Sequence, residues 1–304
     1  MHRSYKEENF LSAVIVARNY QAGIIERLSE LDTWLASNFN NYEIVVVDNF
    51  SSDLTLDLLK KSDLKLTIIE LSRRHNVQQA LRAGVDISIG DFILEIEDIA
   101  EVDDFNVIQN LYSNCLEGHD FVFYSPRRTR LLSKLFYLVI NRYFKNSFSG
   151  DISSAIMVIS SRRGQNKTVE AGNLVVNRNI AYILTGLKYQ SVFADIRIKK
   201  RKRGSLEDID LFVDTLIHYT DLIPILATII ASLFFLTSFI FLIYSFTAYF
   251  IIGTVEGWAS TNTFLAFSFS GVFLMLAFIS KYLLNVLNIS KKRKQYVYRS
   301  ITKN

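Results

Sequence analysis

Two stretches near the end of the chain carry no charge at all: Leu222 to Val255 and Gly257 to Ser280. A helix needs roughly 20 apolar residues to cross about 30 Å of hydrocarbon. Each stretch is long enough. The turn between them, Gly253 to Ser260, holds no Lys or Arg. Arg197, Lys199, Lys200, Arg201, Lys202 and Arg203 precede the pair, and Lys281, Lys291, Lys292, Arg293, Lys294 and Arg299 follow it. Basic flanks stay on the cytosolic side. The pattern predicts a juxtamembrane helix over 206–221, a transmembrane helix over 222–252 and an external loop over 253–262. A second transmembrane helix over 263–287 and a basic cytosolic tail over 288–304 complete it. The expected location is the cell (inner or plasma) membrane, multi-pass, with the large domain and both termini cytosolic. Trp258 fits an interfacial anchor. The competing reading is two buried helices of a large soluble core. Length, absent charge and basic flanks weigh against it.

Without the hairpin roughly 220 residues remain, enough for one large domain. The chain has 304 residues, a net charge of +4 and a pI near 8.9. The positive balance clusters beside the apolar stretches, which favours anionic lipid headgroups over nucleic acid. The single cysteine, Cys115, leaves no internal disulfide framework and fits a reducing compartment. Met1 to Asn9 is polar and does not read as a signal peptide.

In the large domain, short apolar runs alternate with helical spacing. Leu11 to Ala17 reads as a buried strand, and Ile24, Leu28, Leu31 and Leu35 as a helix face. Tyr42 to Val47 is a second strand, ending at Asp48, and Ser51-Ser52-Asp53 starts the next helix. Strands over Leu66 to Leu71, Phe92 to Ile96 and Phe121 to Tyr124 follow, with helices over Val77 to Ser88 and around Ile108, Leu111 and Cys115. Ser153 to Ser160 and Tyr189 to Ile198 look like further strands. The alternation predicts an α/β fold with a mostly parallel sheet. Ligands of such sheets bind beyond the carboxyl ends of the strands. Those ends carry Ala17-Arg18-Asn19, Asp48-Asn49, Ser72-Arg73 and Glu97-Asp98. Ordinary loop polarity is the plainer account of the same residues.

Between these strands, Arg127-Arg128-Thr129-Arg130 precedes a basic amphipathic stretch, about 128–147, with Leu131, Leu132, Leu135, Phe136, Leu138, Val139 and Tyr143. It fits a helix lying in the membrane interface. Periodicity alone fits a helix packed on the sheet equally well.

Leu71-Ser72-Arg73-Arg74-His75-Asn76 through Gly84, with Gly90-Asp91, resembles a motif of family 2 glycosyltransferases of the dolichol-phosphate-mannose-synthase and bacterial polyprenyl-phosphate type. Val46 to Asp53 is similar to that family's V-V-D-D-G-S-x-D. Arg203-Gly204-Ser205 loosely matches its R-x-x-G-x-S. Gly257 to Ser260 and Lys281-Tyr282 resemble the members with a two-helix anchor. The likeness runs from about Leu11 to Arg299. It implies a GT-A fold over 1–205, followed by the interfacial helices and the hairpin. It implies a nucleotide-sugar donor and a polyprenyl-phosphate acceptor, hence a glycosyltransferase feeding cell-surface glycan synthesis. Asn19, Asp48, Asn49 and Arg73 would hold the donor. Arg127, Arg128, Arg130 and Arg203 would meet the acceptor phosphate. Glu97 and Asp98 would hold Mg²⁺ or Mn²⁺ on the diphosphate, with Glu101, Asp103 or Asp104 assisting. Nothing in the residues specifies a homo-oligomer, although the hairpin would support one.

The chain departs from the family at several positions. Where the metal motif reads D-x-D, Glu97 falls on the first acid and Ile99 on the second. Where D-F-R-L carries the expected base, Ser154 to Arg162 has no acid, and Asp151 is the candidate substitute. Arg18 and Tyr20 stand in a segment that usually reads Y-N-E. Asn76 replaces a glycine, and an Asn tolerates the left-handed backbone a glycine serves. Two functions follow: an active transferase, or a catalytically impaired relative kept as a scaffold or regulatory subunit. A membrane protein of another class, such as a lipid-binding accessory, is a third.

Overall fold

The computed structural model describes residues 6–127, 131–145, 152–172, 175–195, 205–220, 222–252, 257–290 and 296–304. The chain divides into two compact units, Met1–Asp208 with Lys292–Asn304, and Ile209–Lys291.

The first unit is built on β1 (Leu11–Ala17), β2 (Tyr42–Asp48), β3 (Leu66–Leu71) and β4 (Phe92–Ile96), joined by α1 (Ile24–Asn38), α2 (Thr55–Lys61) and α3 (Val77–Val85). β1 and β3 are buried along their whole length, and so are the last five residues of β2. Both faces are covered, which is why these strands read as continuous apolar runs rather than alternating ones. A 3₁₀ turn (Ile99–Glu101), α4 (Val107–Leu116), β5 (Phe121–Pro126), α5 (Leu131–Tyr143), β6 (Met157–Ser161), α6 (Arg162–Ala171), α7 (Arg178–Leu184) and β7 (Tyr189–Ala194) follow.

Among the described residues the sheet has eight strands, in the order β7-β5-β6-β4-β1-β2-β3-β8. β1, β2, β3 and β4 run parallel; β6 runs antiparallel to both β4 and β5. The last strand, β8 (Tyr298–Lys303), pairs antiparallel with β3. The segment read as a basic tail thus ends as a sheet edge. Its charged and polar residues hid the strand: Arg299 and Ser300 both bond the Glu70 carboxylate of β3, as Lys60 does from α2.

The chain moves outward from β1 through β2 to β3, then crosses back to place β4 on the other side of β1. That reversal opens a crevice at the carboxyl ends of β1 and β4. Two glycines set the packing behind it. A Cβ on Gly84 would run into Val14 and stand 3.0 Å from Val47, so α3 sits close on β1 and β2. A Cβ on Gly90 would stand 2.6 Å from the Ser12 hydroxyl, which Gly90 itself bonds through its N–H.

α5 packs on the domain through one side. Phe136 and Ile140 are buried in the domain, and Asn141 bonds the Ile152 backbone in both directions. Leu135 and Leu138, on its other side, are exposed.

The second unit contains the rest of α8 (Ser205–Tyr219), then α9 (Leu222–Ile252) and α10 (Trp258–Ser290). α9 and α10 lie side by side, with Phe234 stacked on Phe273 at 4.5 Å. Thr228–Ala248 and Ser260–Ser280 are each long and apolar enough to cross a bilayer. Only 11% and 6% of these windows are buried, far less than core helices of a soluble protein would be.

Candidate active site

The crevice is framed by three loops tied to one another. Asn19 follows β1 in a left-handed conformation, φ 48°. Its side-chain oxygen accepts from the N–H of Ser52 at 2.8 Å, and its own N–H donates to the Ser51 hydroxyl. Gln21 and Asp53 close the same seam through backbone amides. From the other side, the Asn49 amide donates to the His75 carbonyl at 2.8 Å and accepts from the His75 N–H at 2.9 Å. The loops after β1, β2 and β3 therefore behave as one piece.

Asp48 lies beneath them, 1% exposed. One carboxylate oxygen accepts from the Ser51 N–H; the other has no partner among the described residues. Burial pushes its pKa up, against a smaller opposite pull from Ser51. His75 is buried, its Nε2 has no partner among the described residues, and burial pushes its pKa down. Arg73 is exposed at the loop surface. Asn76 corrects one expectation. Its φ is −67°, and it caps α3 by accepting from the Gln79 N–H. Among the described residues other than glycine, the left-handed positions are Asn19 and Phe50.

At the end of β4 the two candidate metal ligands differ. Glu97 accepts from the Gln78 amide at 3.1 Å and from the Arg178 guanidinium at 3.3 Å. Arg178 opens α7 and is 1% exposed. It also reaches Glu95 at 3.4 Å and the Ala155 carbonyl at 3.2 Å. Tyr182 donates to Glu95 at 2.6 Å, and Gln165 links Glu95, Ser160 and Tyr182. Glu97 is thus charge-compensated from inside. Neither α6 nor α7, which supply Gln165, Arg178 and Tyr182, was expected from sequence. An arginine beside two asparagines reads as an ordinary polar turn.

Asp98 is half-buried. One oxygen caps the 3₁₀ turn through Ala100 N–H, and the other takes no hydrogen bond from the described residues. Its charge adds to the burial that chiefly pushes the Tyr20 phenol up. Ile99 is a core residue, 1% exposed, which removes the second acid of D-x-D. Glu101 is buried; Asp103 and Asp104 are exposed. Among the described residues no three acids, histidines or cysteines gather as a metal cage. A Mg²⁺ or Mn²⁺ ion carried on a diphosphate needs only one or two protein carboxylates, the rest being phosphate and water. Of the two acids, Asp98 has the carboxylate oxygen left for such an ion, while Glu97 is engaged by Gln78 and Arg178.

Arg127 pairs with Asp195 at 3.7 Å, both exposed, a contact of little energy. Arg128, Arg130, Asp151 and Arg203 lie outside the described residues.

An α/β domain with a crevice at this reversal of strand order is the architecture of GT-A transferases. The family model for glycosyl transferase family 2 matches residues 12–167, and the chain belongs to that family. It is 32% identical over 144 residues to an uncharacterized glycosyltransferase of Synechocystis sp., a match covering 43% of this chain and 44% of that protein. It is 24% identical over 304 residues to the uncharacterized glycosyltransferase YkcC of Bacillus subtilis, covering 94% of this chain and 92% of that one. The chain thus spans less than half of the Synechocystis relative and nearly all of YkcC. Among solved structures, glucosyl-3-phosphoglycerate synthase of Mycobacterium tuberculosis, in complex with Mn²⁺, UDP and phosphoglyceric acid, superposes with a TM-score of 0.53 at 17% identity. That match covers 69% of this chain and 76% of that one. Mannosyl-3-phosphoglycerate synthase of Rubrobacter xylanophilus gives 0.50 at 18% identity, over 68% and 72%. These structures share the fold.

Proposed function

We propose that this protein is a membrane-anchored glycosyltransferase that moves a sugar from a nucleotide-sugar to a polyprenyl-phosphate lipid on the cytosolic face. The observation that carries the reading is the path of the chain. It leaves the domain, forms two long apolar helices, and returns to add β8 to the same sheet that frames the crevice. A transferase with such a hairpin suits an acceptor that never leaves the bilayer. The basic flanks suit anionic headgroups. The phosphoglycerate named for the solved neighbours is a small water-soluble acceptor and calls for no such anchor.

In the reaction a phosphate oxygen of the lipid attacks the anomeric carbon of the sugar, and the bond from that carbon to the nucleoside diphosphate breaks. A phosphate monoester is largely ionised at neutral pH, so the acceptor needs little help from a general base. The interlocked loops around Asn19, Asp48, Asn49 and Arg73 hold the donor. Arg127, with Arg128, Arg130 and Arg203, offers the acceptor phosphate guanidinium donors. Asp151 is the candidate base if one is used. A divalent ion, when bound at Asp98, would offset the charge of the leaving diphosphate.

The internal Arg178–Glu97 pair and the apolar Ile99 favour one second reading, a relative that binds donor without turnover. One experiment separates the two. Proteoliposomes holding the full chain are supplied with polyprenyl phosphate and a panel of labelled nucleotide-sugars, with Mg²⁺, Mn²⁺ or EDTA. Label moving into the organic phase with one donor is expected. Donor binding with no labelled lipid would establish the scaffold reading, and neither binding nor transfer would remove both.

A further inference from the structure

We infer that Phe50 is the platform on which the donor's nucleobase stacks. The inference rests on the nucleotide-sugar reading of the crevice and adds the residue that grips the base.

Phe50 adopts φ 58°, a left-handed conformation that glycine and asparagine tolerate and a bulky aromatic rarely does. Such strain persists only where the surroundings over-determine the backbone. Here they do so on both sides. Asn49 is locked to the His75 backbone by two hydrogen bonds. Ser51 accepts from the Asn19 N–H and donates its own N–H to Asp48, and Ser52 donates to Asn19. Five hydrogen bonds therefore fix the residues flanking one ring.

That ring is not spent on the core. Phe50 is 48% exposed and pairs with no other aromatic among the described residues. It stands at the carboxyl end of β2, next in chain to the Asn49 clamp and two residues beyond the buried Asp48 carboxylate, one oxygen of which has no partner among the described residues. Every nucleobase has a π-face, and stacking on an exposed aromatic is base-tolerant and strong. A loop built to hold an aromatic outward at this edge is suited to that use. A folding role would place the ring inward, or place glycine there.

The test uses the full chain in nanodiscs, comparing wild type with Phe50→Gly and Phe50→Trp. Titrations use UDP, GDP and inorganic pyrophosphate, and thermal melts are recorded beside them. Glycine suits this backbone, so the melting temperature of Phe50→Gly should hold or rise. Its affinity for the nucleoside diphosphate that wild type prefers should fall on the order of ten- to a hundredfold. Pyrophosphate binding should change little. Phe50→Trp should keep nucleotide affinity and show indole quenching on binding. Wild-type nucleotide affinity in Phe50→Gly overturns the inference and leaves the donor site standing. So does an equal loss for pyrophosphate, or a loss confined to vesicle association, which would assign the ring to the bilayer. If wild type binds no nucleotide, the donor-site reading falls and the inference with it.

Discussion

Arg178 shows how one residue redistributes the work of a site. A buried guanidinium between two carboxylates costs desolvation, and removing one partner leaves uncompensated charge behind. Arg178→Ala should therefore destabilise the domain by about 3–5 kcal/mol, read by denaturant unfolding, whereas an exposed pair such as Arg127–Asp195 should give under about 1 kcal/mol. The same geometry separates the two acids at the end of β4. Asp98→Asn should abolish any divalent-ion dependence of donor binding, and Glu97→Gln should keep it while losing stability. Equal loss of ion dependence in both would restore Glu97 as a ligand. Asp48 supplies the pH signature. Burial holds its native pKa above that of the unfolded chain, about 3.9. The native state keeps the proton after the unfolded chain has released it, so this group's contribution declines as pH rises through the native pKa. The melting temperature of Asp48→Asn should exceed that of wild type by a margin that is small at pH 4 and grows toward pH 7. A constant or reversed margin would contradict the assignment.

At the scale of elements, the strands with apolar runs were legible and the polar edge was not. β1 to β5 announce themselves because burial leaves mostly apolar residues along them. β8 could not be read, since its Arg299 and Ser300 are recruited by a carboxylate 229 and 230 positions away in sequence, and the apolar anchor beside it, Tyr296, which packs in the core with α3 residues and bonds Asp86, lies before the strand. α6 and α7 were missed because short helices with many polar residues lack a clear apolar stripe. The strand-end polar residues were visible as a set. Their sorting was not: Asn19 and Asn49 lace loops together, Glu97 is paired with Arg178, and Asp98 is half-buried and caps the 3₁₀ turn. These roles depend on contacts between distant segments. β8 yields its own prediction. Deleting residues 296–304 strips the pairing from β3, and an open, apolar edge strand invites self-association. The truncated protein should aggregate at concentrations where the full chain stays dispersed by light scattering, and Tyr296→Ala alone should cost about 3 kcal/mol.

For the whole molecule, the hairpin and the sheet are one statement. The first unit takes up the chain again at Lys292, after the second unit ends at Lys291, so a membrane hairpin of the kind proposed would begin and end on one side of the bilayer. On that proposal the basic residues flanking the two helices in sequence predict that this side is the cytosol. Burial also clears the field for a topology measurement, because the only native thiol, Cys115, is buried and pushed up to about 12. It should stay silent to maleimides while the domain is folded. Single cysteines are placed at Ser260, at the start of α10, and at Asn304, beyond β8, in otherwise intact chains in living cells. A membrane-impermeant maleimide should label Ser260→Cys from outside, label Asn304→Cys only after permeabilisation, and leave wild type unlabelled. Equal outside labelling of both positions, or a full chain that stays in the supernatant after high-speed centrifugation without detergent, would contradict the account at its centre.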